Sequence, residues 1–201
     1  MNAQDVANIL WAFATLGWQA TAEMAATFEQ LVDGMVRASG LLQLSIPHLS
    51  QLLQAHLASQ LLGLGLITLP PSALEVAVQA YRKDTRDVTV SKSQREVGGS
   101  LRRLGVAHAL EHITADGLFS IDLAVVDRRF AIEFDGPSHF TRNTHEPLGR
   151  TRLRNRLLSQ LGWHVVPIPF FEWRPLRGQP EQEDAYVKRK LLQAASKPTE
   201  M

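Results

Sequence analysis

Along the first 82 residues the apolar positions recur at helical spacing. In 3–17 (AQDVANILWAFATLG), Val6, Leu10, Phe13 and Gly17 share one side, Ile9 and Trp11 widen the arc, and Gly17 fits a stop. A second helix is predicted over 21–37, capped by Thr21 and striped by Met24, Phe28, Leu31 and Met35. Pro47 opens a third, near 47–62, lined by Leu49, Leu52, Leu53, Leu57 and Leu61 and ended by Gly63 and Gly65. Pro70 and Pro71 open a fourth, running to about Arg82. A shift of 43 residues lays Val6, Ile9, Leu10 and Ala12 over Leu49, Leu52, Leu53 and Ala55. That is a shared apolar pattern, compatible with paired-helix repeats or with a plain helical cap.

The period changes after the polar stretch 83–93 (KDTRDVTVSKS). A helix over 93–104, weakened by Gly98 and Gly99, precedes strand-like runs at 106–113, 118–126 and 130–134. Asp127 and Arg128 mark the turn of a hairpin between the last two runs. A helix at 148–161, a strand at 163–169 and a final helix at 183–196 complete the chain. The expected class is α+β: a helical-repeat fragment over 1–82, a mixed α/β domain over 83–180 with the order α-β-β-β-α-β, and a C-terminal helix and tail over 181–201.

Composition narrows the chemistry. The chain has 201 residues, 45% hydrophobic and 20% charged, which is globular. It has no cysteine, which excludes disulfides, thiolate metal sites and a cysteine nucleophile. No run of 18 apolar residues is uninterrupted, so no membrane partner is expected. The net charge of +1 is uneven: residues 1–80 hold one basic residue, Arg37, against five acidic ones, whereas 81–201 hold 20 basic and 15 acidic. An anionic partner is therefore expected on the C-terminal part. The first 36 residues lack Lys and Arg, unlike a secretory or transit segment, and the chain is read as a processed or truncated product.

Two constellations carry candidate chemistry. Glu133 and Asp135 are two apart on one strand, so they share a face, and Asp122 on the paired strand can approach them. Such a group suits Mg²⁺ and water activation against a phosphodiester, with Asp122 and Glu133 as candidate ligands. The plainer alternative is a turn at Asp135-Gly136-Pro137 with Glu133 ion-paired. The second constellation is cationic. Arg150 and Arg154, and Arg152 and Arg156, are i, i+4 pairs flanking the stripe of Leu153, Leu157 and Leu161. Their guanidiniums are expected outside, where they fit phosphates and stack on bases. Arg142, Arg128, Arg129, Arg102 and Arg103 extend the patch, and His139 is placed for a phosphate or a proton. Trp163, Trp173, Phe170 and Phe171 suit either base stacking or the core. His48 and His56 show no ligand spacing.

The runs Glu133–Phe140 (EFDGPSHF), Thr151–Trp163 (TRLRNRLLSQLGW) and Ile168–Trp173 (IPFFEW) resemble the RAP domain of organellar RNA-binding proteins. The likeness covers about residues 93–175, and the upstream helices look like octotricopeptide or FAST-type repeats. The resemblance implies a fold similar to PD-(D/E)XK nucleases, with Asp122 and Glu133 at the acidic positions and Asp135 where those enzymes keep a lysine. Glu96 falls where some of them keep a further carboxylate. A carboxylate in place of that lysine adds charge of the wrong sign, so hydrolysis is put in doubt. It also implies RNA, ribosomal or messenger, as partner in processing, stability or translation. Location would be mitochondrial, or alternatively chloroplast, with no cofactor beyond Mg²⁺ if the site is active. Two other readings stand beside it: a structural subunit of a mitochondrial ribosome, meeting ribosomal proteins through the Arg-poor N-terminal helices, and a Mg²⁺-dependent RNA endonuclease.

Overall fold

The computed structural model describes residues 2–37, 44–84 and 89–196. Two compact units divide the chain: Met1–Asp87 together with Arg152–Leu157, and Val88–Thr151 together with Leu158–Met201.

The first unit holds helices α1 (Ala3–Leu16), α2 (Ala22–Arg37), α3 (Ile46–Leu62) and α4 (Pro71–Asp84). Asn2 caps α1 in a reciprocal box with Asp5, and Gly17 ends it at φ +72°, a left-handed conformation that costs glycine little. The buried face of α1 is Val6, Ala7, Leu10 and Ala14. Phe13, expected on that face, is only half-buried and meets Phe28 edge-on at 5.5 Å between ring centroids. On α2, Phe28, Val32 and Met35 are buried rather than the whole predicted stripe, leaving Met24 and Leu31 half-buried. On α3, Leu57 and Leu61 are likewise half-buried, because Ala55 and Ala58 share the face turned inward. Trp11 Nε1 donates to Gln54 Oε1 at 2.9 Å, joining α1 to α3.

The extended segment after α3 buries Leu64, Leu66, Ile67 and Leu69. Its amides need acceptors there, since an unpaired buried N–H costs about 1–3 kcal/mol. Polar groups on α3 supply them: Ser59 Oγ accepts from Leu66 N (2.9 Å) and Ile67 N (3.0 Å), and His56 Nδ1 accepts from Leu69 N (3.2 Å). This gives His56 and Ser59 a structural use on the side of the helix that faces the segment.

The second unit begins with α5 (Lys92–Arg103), capped by Ser91 and Gln94. Strands β1 (Ala109–Ile113), β2 (Ser120–Val125), β3 (Phe130–Asp135) and β4 (His164–Pro169) form one sheet in the order β1-β2-β3-β4. The first three run antiparallel, and β4 returns parallel to β3 after helix α6 (Gly149–Gln160). The expected α-β-β-β-α-β order and the β2–β3 hairpin are therefore present. The hairpin turn is a 3-10 turn over Val126–Arg128 with Arg129 at φ +51°. A single helical turn, α7 (Phe170–Trp173), follows β4 and was not expected from the sequence. The last helix, α8 (Pro180–Ala195), starts earlier than predicted because Pro180 suits a first helical turn.

One face of the sheet is the core. Leu123, Val125, Phe130, Ile132, Val166 and Ile168 pack with Val97 and Leu101 of α5, Trp173, and Tyr186 and Val187 of α8. Gly98 allows α5 to come close: a Cβ there would lie 3.0 Å from His108 Nε2 and 3.3 Å from Leu123 Cδ2. Arg103 of α5 reaches both Asp184 (2.7 Å) and Glu183 (2.7 Å) of α8, and Ser100 Oγ donates to Asp184 at 2.7 Å. These bonds hold the Asp184 carboxyl below the usual carboxylate range. Burial, and Glu172 accepting from the phenol at 2.8 Å, push the Tyr186 hydroxyl well above its usual range.

Candidate nucleic-acid interface

The acidic strand end comes first. The β2–β3 register pairs Leu123 with Ile132, which continues to Asp122 opposite Glu133, so the alternation expected from the sequence places both on the face away from the core. Asp122 has a backbone partner on β3. Asp122 Oδ2 accepts from Phe134 N at 2.8 Å. Glu133 and Asp135 are buried, at 7% and 4% exposure. Asp135 Oδ1 lies 2.9 Å from His139 Nδ1. The expectation that Asp122, Glu133 and Asp135 gather around a cation is not met: among the described residues, no group of three His, Asp or Glu side chains is placed to hold a metal ion. Two of the three carboxylates serve the chain beside them: Asp122 holds Phe134 N and Asp135 holds His139. Glu96 accepts from Trp173 Nε1 (3.2 Å) and Arg177 Nε (2.8 Å), which ties α5 to the segment after β4.

The turn after β3 is braced from several sides. Pro137–His139 form a 3-10 turn, and His139 O accepts from Leu148 N at 2.8 Å. Arg150 Nη2 donates to Ser138 O at 2.8 Å. Phe140 and Pro147 form a β-bridge, and inside it Thr141 N donates to Glu146 O at 2.9 Å. The D-G-P-x-H-F run is thus a rigid corner delivering the chain into α6.

The arginines separate into two groups. Arg128, Arg142, Arg150 and Arg152 are exposed. Arg154 and Arg156 are half-buried, contrary to the expectation of four outward guanidiniums. Arg154 has buried Leu157 and Leu158 as its i+3 and i+4 neighbours, so it falls inside the buried arc of α6. That arc is Leu153, Leu157 and Leu158, with Leu161 only half-buried. In the first unit, the Arg156 guanidinium lies against Gly17, where a Cβ would come within 2.6 Å of it. Arg129, read from the sequence as a phosphate contact, has a structural task. Its Nε donates to Gly162 O at 2.9 Å and its Nη2 to Leu161 O, and its guanidinium sits 4.9 Å from the Trp163 ring centroid. It closes the C-terminal end of α6, whose last carbonyls have no partner within the helix. Arg103 is committed to α8. Trp163 and Trp173 are core, at 5% and 0% exposure. Phe170 and Phe171 are half-buried. Sequence reasoning did not single out His145, which lies 4.8 Å from Phe171 between ring centroids. Only a tertiary contact reveals it.

This part of the chain carries a RAP domain: residues 132–190, from β3 into α8, match that family. A RAP domain-containing protein, chloroplastic, of Oryza sativa subsp. japonica is 30% identical over 209 residues, covering 93% of this chain and 29% of that protein. FAST kinase domain-containing protein 3, mitochondrial, is 36% identical over 67 residues in Homo sapiens and 38% over 74 residues in Bos taurus. Those matches cover 33% and 37% of this chain, and 10% and 11% of the relatives. The chain therefore spans under a third of the curated relatives it matches. The likeness to the rice protein extends beyond the RAP domain into the upstream helices. No described helix is long and apolar enough to cross a membrane.

Proposed function

We propose that the chain binds RNA in an organelle through its RAP domain, as a non-catalytic contact in processing, stability or translation. The observation that carries this reading is the set of exposed arginines, Arg142, Arg150 and Arg152, in and beside the braced corner of the domain, with Arg128 exposed nearby in sequence. From His139 to Arg152 the only acidic residue is Glu146. Relatives named as chloroplastic and mitochondrial support the organelle. The commitment of Asp122 to Phe134 N and of Asp135 to His139 supports a structural use of the acidic residues.

Binding of single-stranded RNA measured against salt concentration tests it. Each phosphate contact contributes about 0.7 to the slope for single strands, so removing Arg142, Arg150 and Arg152 together lowers the slope by about 2. A wild-type chain without salt-dependent affinity, or an unchanged slope in the triple variant, rejects the proposal. Cleavage in Mg²⁺ abolished by Asp122→Ala replaces it with a nuclease.

A second, compatible reading concerns the N-terminal helices. Ile9 and Leu16, seven apart on α1, are exposed, as is Trp18. These side chains favour a protein neighbour, as in a structural subunit of a mitochondrial ribosome. Co-sedimentation with ribosomal subunits at high salt, lost in Leu16→Ser/Trp18→Ser, tests that reading.

A further inference from the structure

The loop between β3 and α6 holds a ring where a polar surface loop has no packing need for one. His145 is exposed and takes φ +54°, a left-handed conformation uncommon outside glycine. Its ring lies 4.8 Å from that of Phe171, tilted by 40°, and 6.3 Å from that of Phe170. Phe171 is braced edge-on by Phe140 (5.2 Å, 71°) and by Phe170 (5.4 Å, 84°). Phe140 is buried and anchors the set to the corner that follows β3. The loop backbone is fixed by Thr141, whose Oγ1 accepts from Glu146 N at 3.1 Å and lies 2.6 Å from Thr144 Oγ1. The imidazole is thus carried on a stiff support, with one face toward Phe171 and the residue open to solvent.

We infer that His145, backed by Phe171, is a stacking platform for one unpaired base of a bound polynucleotide, and that Arg142 and Arg150 hold the phosphates on either side of that base. The inference rests on the RNA-binding reading above and names the form of RNA: a single strand, because a paired base offers no free face. Charge selects a nucleotide over an apolar side chain as the occupant. The platform is flanked by exposed Arg142 in its own loop and exposed Arg150 at the start of α6. Glu146 is the one carboxylate in the loop, and the Asp135 carboxylate faces His139. Glu172, next to Phe171, is occupied by Lys190 (3.0 Å) and the Tyr186 hydroxyl.

The test uses the full chain and two oligonucleotides of equal length and charge: single-stranded RNA, and the same backbone lacking bases. Stacking on one ring is expected to favour the base-bearing strand by about five- to a hundredfold. His145→Asn removes the ring while keeping a residue that tolerates the left-handed backbone, so it collapses that preference and leaves affinity for the abasic strand and the salt slope unchanged. His145→Tyr keeps a ring and keeps the preference. A purely structural histidine would lower the melting temperature in both variants and leave the preference alone, which overturns the inference. Equal binding of both strands by the wild-type chain overturns it without any variant and leaves the RNA-binding reading standing. Failure of the wild-type chain to bind any RNA removes both.

Discussion

Asp135 and His139 face one another across the turn that ends β3, with Oδ1 2.9 Å from Nδ1. Asp135 is almost fully enclosed, while the histidine side chain is 40% exposed. The carboxylate accepts, so Nδ1 carries the proton and Nε2 is left for solvent or a ligand. Removing either partner strands the other, and a buried carboxylate without a donor is the costlier remainder. Asp135→Ala and His139→Ala are each expected to destabilise, and the double variant by less than their sum. A coupling of about 1–2 kcal/mol is expected from urea denaturation of the four proteins. Strict additivity would mean that the pair is an accident of proximity.

Arg129 separates structure from binding. Arg129→Ala removes two donors from the end of α6 and the cation above Trp163, and should lower stability by about 1–2 kcal/mol. The salt slope of RNA binding should not change, because Arg129 has two nitrogens bound to carbonyls and its face against Trp163, whereas Arg150 gives one nitrogen to the chain. Arg129→Lys should restore only part of the loss, since one ammonium does not reproduce the fork. A slope that falls by about one phosphate in Arg129→Ala returns this residue to the interface.

His56 makes the N-terminal helices sensitive to acid. Burial lowers its pKa below the usual 6.5, and its Nδ1 accepts from Leu69 N in the neutral form. The unfolded chain takes up a proton near pH 6.5 and the folded chain only at lower pH. In that window the unfolded state binds more protons, so stability falls as pH falls. The contribution is whole above about 6.5 and is lost progressively through the folded value. Denaturant stability should be lower at pH 5 than at pH 7.5, and His56→Asn should flatten the difference. An equally steep difference in that variant would place the acid sensitivity elsewhere.

Gly98 and Gly99 are neighbours on α5 with opposite expectations. A Cβ at Gly99 meets only the Arg103 and Arg102 guanidiniums, at 3.6 and 3.8 Å, which is ordinary contact. Gly99→Ala should therefore gain about 0.5–1 kcal/mol from helix propensity. At Gly98 the new methyl presses on Leu123, which is fully buried, and on the His108 ring. Gly98→Ala should lose that gain or reverse it. Thermal melts of the two variants side by side check this, and equal gains would mean that the helix has room to move off the sheet.

The fold was largely legible because its signals are local. Apolar spacing, Gly17, Gly63 and the prolines mark the helices, and the hairpin follows from two strand-like runs around Asp127 and Arg128. The apolar spacing predicts a broader buried stripe than α2 and α3 show; on α3, Ala55 and Ala58 share the inward face with the leucines. Gly98 looked like a weakness in a helix, but close approach to Leu123 is invisible without the sheet. The candidate site was legible in its residue types and not in their partners. Arg128, Arg142, Arg150 and Arg152 are exposed, as a cationic surface requires. The engagement of Arg129 with carbonyls 32 and 33 residues away, the place of Glu96 beside Trp173, and the rings around His145 are long-range facts that no local spacing encodes.

Strand β4 carries Pro167 and Pro169, and it is the last strand on its side of the sheet. Amides that reach β3 must come from the alternate positions, Val166 and Ile168, so both rings face outward where an amide would otherwise be offered. A neighbouring molecule finds few donors along that rim. Growth of the sheet into fibrils by adding strands is discouraged there by two residues whose only fault is a missing hydrogen.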